Sequence, residues 1–174
     1  MNSAMIVLGV LNDGDIEWLV ANGMRCSFQP GETLIEQGRH SRYMYLVLDG
    51  KVGFEREGLG RVGDAHHGEL LGEISFLDAG PPTMTVRAEA VTTVLSVPRE
   101  TMRTRLDSDD GFAARFYRAL GLFMAQRLRT TQALVDALRA GRRFDVTQER
   151  LDLELIEHGE IAARRFRDIL ERLP

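Results

Sequence analysis

From Met24 to Pro98 the chain is broken at short intervals by glycine, at Gly31, Gly38, Gly50, Gly58, Gly60, Gly63, Gly68, Gly72 and Gly80. Between the breaks lie short apolar runs: Thr33-Leu-Ile, Tyr43-Met-Tyr-Leu-Val-Leu, Lys51-Val-Gly-Phe, Thr85-Val-Arg-Ala-Glu-Ala and Thr93-Val-Leu-Ser-Val. Short strands at regular spacing, separated by residues that turn easily, exclude a helical or parallel α/β fold here and predict an all-β barrel, sandwich or jelly roll. In the run from Thr85, side-chain alternation predicts Val86, Ala88 and Ala90 inward and Thr85, Arg87 and Glu89 outward.

After Asp110 the period changes. Phe116, Leu120, Met124, Leu128, Thr131, Val135 and Leu138 recur at spacings of three and four, with Gly141 as a terminator, which predicts one long helix. At 1.5 Å per residue such a helix is about 43 Å long, more than a small barrel can cover. Its far end is therefore expected to meet the same helix of a second copy, and the seven residues are the expected dimer stripe. Packing of the stripe on its own barrel remains the alternative. Arg115, Arg118, Arg127, Arg129 and Arg139 avoid the seam.

The flanks are helical too. Residues 13–23 read as a short amphipathic helix capped by Asp13, with Ile16, Leu19 and Val20 apolar and Gly23 as its stop. In the tail, helices are expected near Glu149–Glu157 and Ile161–Arg172, their apolar residues packing back on the core or on a partner. The chain divides into 1–110, a β-roll with leading helix; 111–140, the long helix; and 141–174, a helical tail. The net charge of −4 argues against a general nucleic-acid binder. Phe112 to Pro174 carries twelve Arg against nine Asp and Glu, so the helical end is basic (+3) and residues 1–111 acidic (−7). A lone Cys26 excludes an internal disulfide or a thiolate zinc cluster and reads as a strand residue. Met1 to Val10 is apolar but short and without Lys or Arg, unlike a signal peptide, and no run is long enough to span a membrane; a cytoplasmic setting is expected.

The order of motifs resembles the cyclic-nucleotide-binding domain family over roughly residues 9–138. Those motifs are Pro30-Gly-Glu-Thr-Leu-Ile-Glu-Gln-Gly38, Tyr45-Leu-Val-Leu-Asp-Gly50 and Gly68-Glu-Leu-Leu-Gly-Glu-Ile-Ser-Phe76, followed by a long helix. In particular it resembles stand-alone bacterial domains, the effector β-roll of CRP/FNR-like regulators without a helix-turn-helix. The resemblance implies a mainly β fold plus α: an eight-stranded roll (a double-stranded β-helix, or jelly roll) with a short N-terminal helix, a long dimerisation helix and a helical tail. It also implies a ligand site built from Leu71, Gly72, Glu73, Ile74, Ser75, Pro82, Thr83 and Met84, with Thr131 and Gln132 closing the base end beside Thr130. Gly72 and the turn after it would let amides approach a phosphate, Glu73 would accept a ribose hydroxyl, and Thr83 would donate to the phosphate. The bland alternative has Gly72 and Glu73 merely capping a short helix.

One departure stands out. Members that bind a cyclic phosphate carry an Arg just before the hydroxyl residue, where this chain has Pro82, which offers neither charge nor N–H. Arg87 is out of phase with the inward face and is not expected to replace it. A subgroup of the stand-alone domains resembles this chain in a Pro-Pro-small sequence there. His66 and His67 with Glu69 and Glu73 lack the His-x-His alternation that a strand metal site needs, so no metal is expected. No catalytic residues are expected, since no nucleophile–base pair, phosphate loop or carboxylate pair is present. After Gly141 too few residues follow for a winged helix-turn-helix of about 60–70 residues, and Arg142 to Pro174 is not basic. The expectation is a dimeric sensor module that takes a cyclic nucleotide, cyclic AMP or another, weakly or unconventionally and signals to a protein partner, without DNA or membrane. The alternatives are a ligand-free assembly module with a degenerate pocket and, more remotely, a DNA-binding regulator.

Overall fold

The computed structural model describes residues 3–78, 80–141 and 153–173; for Ser75 and residues 153–158 only the backbone is described. Strands β1 (Met24–Phe28), β2 (Thr33–Ile35), β3 (Tyr43–Asp49), β4 (Lys51–Arg56), β5 (Gly60–His66), β6 (Leu70–Leu71), β7 (Thr85–Ala88) and β8 (Thr92–Pro98) form two antiparallel four-stranded sheets, in the orders β1-β8-β3-β6 and β2-β7-β4-β5. The tight β3–β4 turn uses Gly50 at φ +97°, where a Cβ would stand 2.5 Å from the Val91 carbonyl oxygen. Any larger residue there would have to push strand β8's approach aside.

β3 shows why its sequence is apolar throughout rather than alternating. Tyr45 and Val47 point between the sheets, with Leu34, Ile35, Val52, Leu71, Val86, Ala88 and Val94. Met44, Leu46 and Leu48 point the other way, into a second core made with the helices. Both faces are buried, so both are apolar. Cys26 lies on β1 at the edge of the inter-sheet core, a strand residue as expected. Val86 and Ala88 face inward, but Ala90 is exposed, because β7 ends at Ala88.

Among the described residues there are six helices: α1 (Ser3–Val10), α2 (Asp13–Asn22), α3 (Ile74–Leu77), α4 (Arg99–Ser108), α5 (Asp110–Arg139) and α6 (Leu153–Arg172). α1 was not anticipated as a helix; it is buried nearly all round, which is why its sequence lacks an amphipathic period. Its start is tied to the roll: Ala4 N donates to the Gly68 carbonyl, Leu70 N to Ser3 Oγ, and Ser3 Oγ to Glu69 Oε2 (2.9, 2.6 and 2.8 Å). The cap of α2 is Asn12, not Asp13. Asn12 and Asp15 form a reciprocal capping box, and Asp15 also receives a two-pronged bond from Arg115 of α5 (2.6 and 2.8 Å). Asp13 serves the tail instead.

α5 confirms one long helix and splits the expected dimer stripe. Phe116 and Leu120 are fully buried in their own chain's core with Phe112 and Ala119, and Met124 is half-buried. Leu128, Thr131, Val135 and Leu138 are exposed, Leu138 at 67%. The first half of the stripe cannot face a partner because the outer face of β3 and β8 claims it.

The tail is one helix rather than two. Gly159, where the two candidates were separated, does not interrupt it, for α6 lies against α1 and α2 and is held there by packing. Ala162, Arg165, Ile169 and Leu173, spaced by three and four, are its buried stripe. The part of the first candidate before Leu153, with Phe144, Val146 and Leu151, lies outside the described residues. Arg165 is 8% exposed and donates to Asp13 Oδ1 (2.8 Å) and to the Leu8 and Gly9 carbonyls (2.8 and 3.3 Å) at the end of α1. Arg165→Ala would leave those carbonyls short of a donor and should cost about 1–3 kcal/mol in urea unfolding. A loss under about 0.5 kcal/mol, the range of an ordinary surface substitution, would mean that α6 is not clamped this way.

Candidate functional site

The roll opens toward α5, and a cavity of about 390 Å³ lies between its mouth, the α3 turn and the middle of the helix. That volume falls within the range of small-molecule sites, about 300–1,000 Å³. Of the residues expected from sequence, Leu71, Gly72, Glu73, Ile74, Pro82, Thr83, Met84 and Thr131 line it, and Thr130 does too. Ser75 sits in α3, its side chain outside the described set. Gln132 does not reach the cavity. It is exposed, because one residue past Thr131 turns the side chain about 100° around the helix, away from the mouth.

Sequence reasoning missed further lining residues on α5 and in the sheets. Phe123, Gln126 and Arg127 of α5 line the cavity, as does Phe54 of β4. The signal was present in the helix period: Gln126 and Arg127 stand four residues before Thr130 and Thr131, so they share that face. Arg127 matters most. It had been counted only as an arginine off the seam.

Gly72 introduces the cassette at φ +84°, a backbone state in which a Cβ would press to 3.3 Å of the Tyr43 carbonyl oxygen. The next residue, Glu73, is 4% exposed and opens α3 without a side-chain capping bond. It stands at the cap position of α3, and a backbone amide that bonds its carboxylate is its own. Its Oε1 lies 3.3 Å from Arg127 Nη1, and the Arg127 guanidinium stands 5.9 Å from the Phe123 ring centre. Burial pushes Glu73 above the ordinary glutamate range; its own backbone amide and then the Arg127 charge pull it back. The pair is lopsided, with a buried carboxylate facing a guanidinium that is 45% exposed and can swing into solvent.

The phosphate end is poor in cations. Pro82 only accepts, its carbonyl taking the Gly38 N–H (2.9 Å). Arg87 is committed elsewhere, donating to the Gly31 carbonyl (2.8 Å) and Thr33 Oγ1 (2.9 Å) on the outer face. Asp64 and Glu69 join Glu73 in the lining, so Arg127 faces three carboxyl groups. Asp64 is itself held by Lys51 (2.8 Å) and Arg61 (3.0 Å), and those contacts keep it below the usual carboxylate range. Such a lining suits hydroxyl and N–H donors better than a bare anion.

Two sheets rolled around an apolar core, with a glycine turn and a buried carboxylate at a mouth crossed by a long helix, define a β-roll with a cavity at its mouth. Residues 25–109 match the family model of the cyclic nucleotide-binding domain, whose members are typically regulatory rather than enzymes. The chain is thus a regulatory module of the cyclic nucleotide-binding type. Among solved structures it is similar to the N-terminal domain of a transcriptional regulator from Streptomyces coelicolor (28% identity, 72% of this chain and 90% of that one, TM-score 0.60). It is also similar to the Thermus thermophilus catabolite activator protein (24%, 92% and 84%, TM-score 0.57). A cyclic nucleotide-binding domain from Methylobacillus flagellatus shares the fold (16%, 83% and 86%, TM-score 0.64). No curated protein sequence matches the chain significantly. Among the described residues, no helix is long and apolar enough to cross a membrane.

Because folded Glu73 keeps its proton to higher pH than the unfolded chain does, it adds stability fully below the unfolded pKa, about 4.3, and loses it as pH rises through the raised value. Glu73→Gln keeps the shape and removes the titration. The stability of the native protein relative to this variant should therefore fall as pH climbs from about 4 toward neutrality, read from urea midpoints. A difference that does not change with pH would show that Glu73 titrates alike in the folded and unfolded chain, its burial offset by its backbone amide and Arg127.

Proposed function

We propose that the chain is a dimeric, cytoplasmic sensor module that takes a nucleotide-like ligand in this cavity and passes the event to a protein partner through α5. The observation that carries the reading is the Glu73–Arg127 pair, which joins the cassette to the long helix across the cavity. A ligand hydroxyl that donates to Glu73 competes with Arg127 for the same carboxylate, so occupancy changes what holds α5 against the cassette. Thr83, Thr130 and Thr131 supply hydroxyls around the same space.

Titration calorimetry with cyclic AMP, cyclic GMP and cyclic di-GMP tests this. The native chain is expected to bind one of them weakly and Glu73→Ala to abolish binding. A Pro82→Arg variant, by adding a charged hydrogen bond worth about 1.5–3 kcal/mol, should tighten it about ten- to 150-fold. If neither native nor Pro82→Arg protein binds any of the three, the ligand reading fails. Pro82 and the acidic lining then favour the second reading, in which the roll serves as a protein-assembly module.

Dimerisation is supported by the far half of α5, where Leu128, Leu134, Val135 and Leu138 lie exposed along one helix. Leu128→Asp with Val135→Asp is expected to turn a dimer into a folded monomer in sedimentation velocity. A native chain that already sediments as a monomer at micromolar concentration would overturn this part.

A further inference from the structure

The acidic half of the chain carries one concentrated exception. Where the loop from His40 to Tyr43 meets the β8–α4 junction, an open cleft of about 590 Å³ is lined by His40, Arg42, Tyr43, Arg99 and Arg103, with Glu100 as its only acid. Arg42 and Arg103 are exposed, and among the described residues neither joins an ion pair. Arg99 is 7% exposed and is aimed rather than loose: its guanidinium lies 5.0 Å from the Phe76 ring centre, and its backbone N–H donates to the Arg42 carbonyl (2.9 Å). Burial, and then the neighbouring Arg103 charge, pull Arg99 below the ordinary guanidinium range, so the cations repel one another in a partly dehydrated place. A cluster of like charges on a surface whose remaining charge is negative is held at a cost, and an anion seated among them would remove it.

We propose that this cleft binds a phosphate-bearing polyanion. The exposed guanidinium groups of Arg42 and Arg103 offer planar forks that match phosphate oxygens in pairs, better than they match a single carboxylate. The volume exceeds what one phosphate fills. Apart from Tyr43 and Pro98 the lining has no apolar platform on which a base could stack, which favours an extended chain of phosphates over a nucleoside. The cleft does not overlap the cavity under α5, and the inference does not depend on that cavity's ligand.

The probe is inorganic tripolyphosphate, titrated calorimetrically into the full chain at ionic strengths of about 0.01 M and 0.15 M, where screening differs strongly. One-to-one binding that weakens with salt is expected. Arg42→Ala with Arg103→Ala, both exposed positions outside the core, should weaken it at least about tenfold while the melting temperature stays close to native. Arg56→Ala, an exposed arginine on β4 outside the cleft, should leave it unchanged. The proposal is overturned if tripolyphosphate gives no heat at millimolar concentration, or if Arg56→Ala weakens it as much as the cleft variant does. It is equally overturned if a polyglutamate peptide binds as tightly as tripolyphosphate, since the cleft would then be a docking face for an acidic protein.

Discussion

Everything in this molecule hangs on covering the outer face of the sheet that contains β3 and β8. Met44, Leu46, Leu48, Leu95 and Val97 present that face, and the phenyl rings of Phe112 and Phe116 close over it. The two rings stack at 5.9 Å; Phe112 meets Trp18 of α2 at 5.6 Å, and Phe116 meets Phe76 of α3 edge-on at 6.1 Å. Each buried ring contributes about 1.5–3 kcal/mol through burial and each ring pair about 0.5–1.5 kcal/mol more. One turn and a half of α5 thus sets the leading helix, the cassette and the sheet relative to one another. Moving α5 moves the cassette, because Phe116 and Phe76 are in contact.

The same helix then leaves the roll. Its buried stripe ends near Phe123, and beyond it the side chains face first the cavity and then solvent. The cavity sits at this change of environment, where a rigidly packed helix gives way to a more exposed one. A contact made or lost at Arg127 acts on the segment least restrained by packing, which is where a small energy can shift a population. This is the physical basis of the sensor role proposed for the module.

Charge is distributed to the same plan. Neighbouring carboxylates of α2 are used in opposite directions: Asp15 grips Arg115 of α5, and Asp13 grips Arg164 and Arg165 of α6. The acidic front and basic rear read from composition are therefore partly an internal bookkeeping of ion pairs. Arg42 and Arg103, at the cleft beside α4, join no ion pair among the described residues.

The roll was legible because its signals are local: a glycine at most turns, alternation in β7, a doubly apolar β3, and a change of period after Asp110. The cassette residues Gly72, Glu73, Pro82 and Thr83 were legible by resemblance, and they do come together at one cavity. β5 was not, since Gly60–His66 is largely exposed and has little alternation for a sequence reading to find. α1 was missed because, buried nearly all round, it lacks an amphipathic period, and α6 was read as two helices because Gly159 falls between them while packing on α1 carries the helix through. The dimer stripe read as one feature because Phe116, Leu120, Leu128 and Val135 look alike in sequence; only the position of the sheet divides them. By itself the sequence determined where strands turn, where the long helix runs and that the phosphate-binding arginine is replaced by proline. Only the tertiary structure decided that Arg127, 54 residues from Glu73, would share a cavity with it, and that three arginines from a loop and a helix start would converge. Such pairings follow from how sheets and helices are stacked, which no local period records.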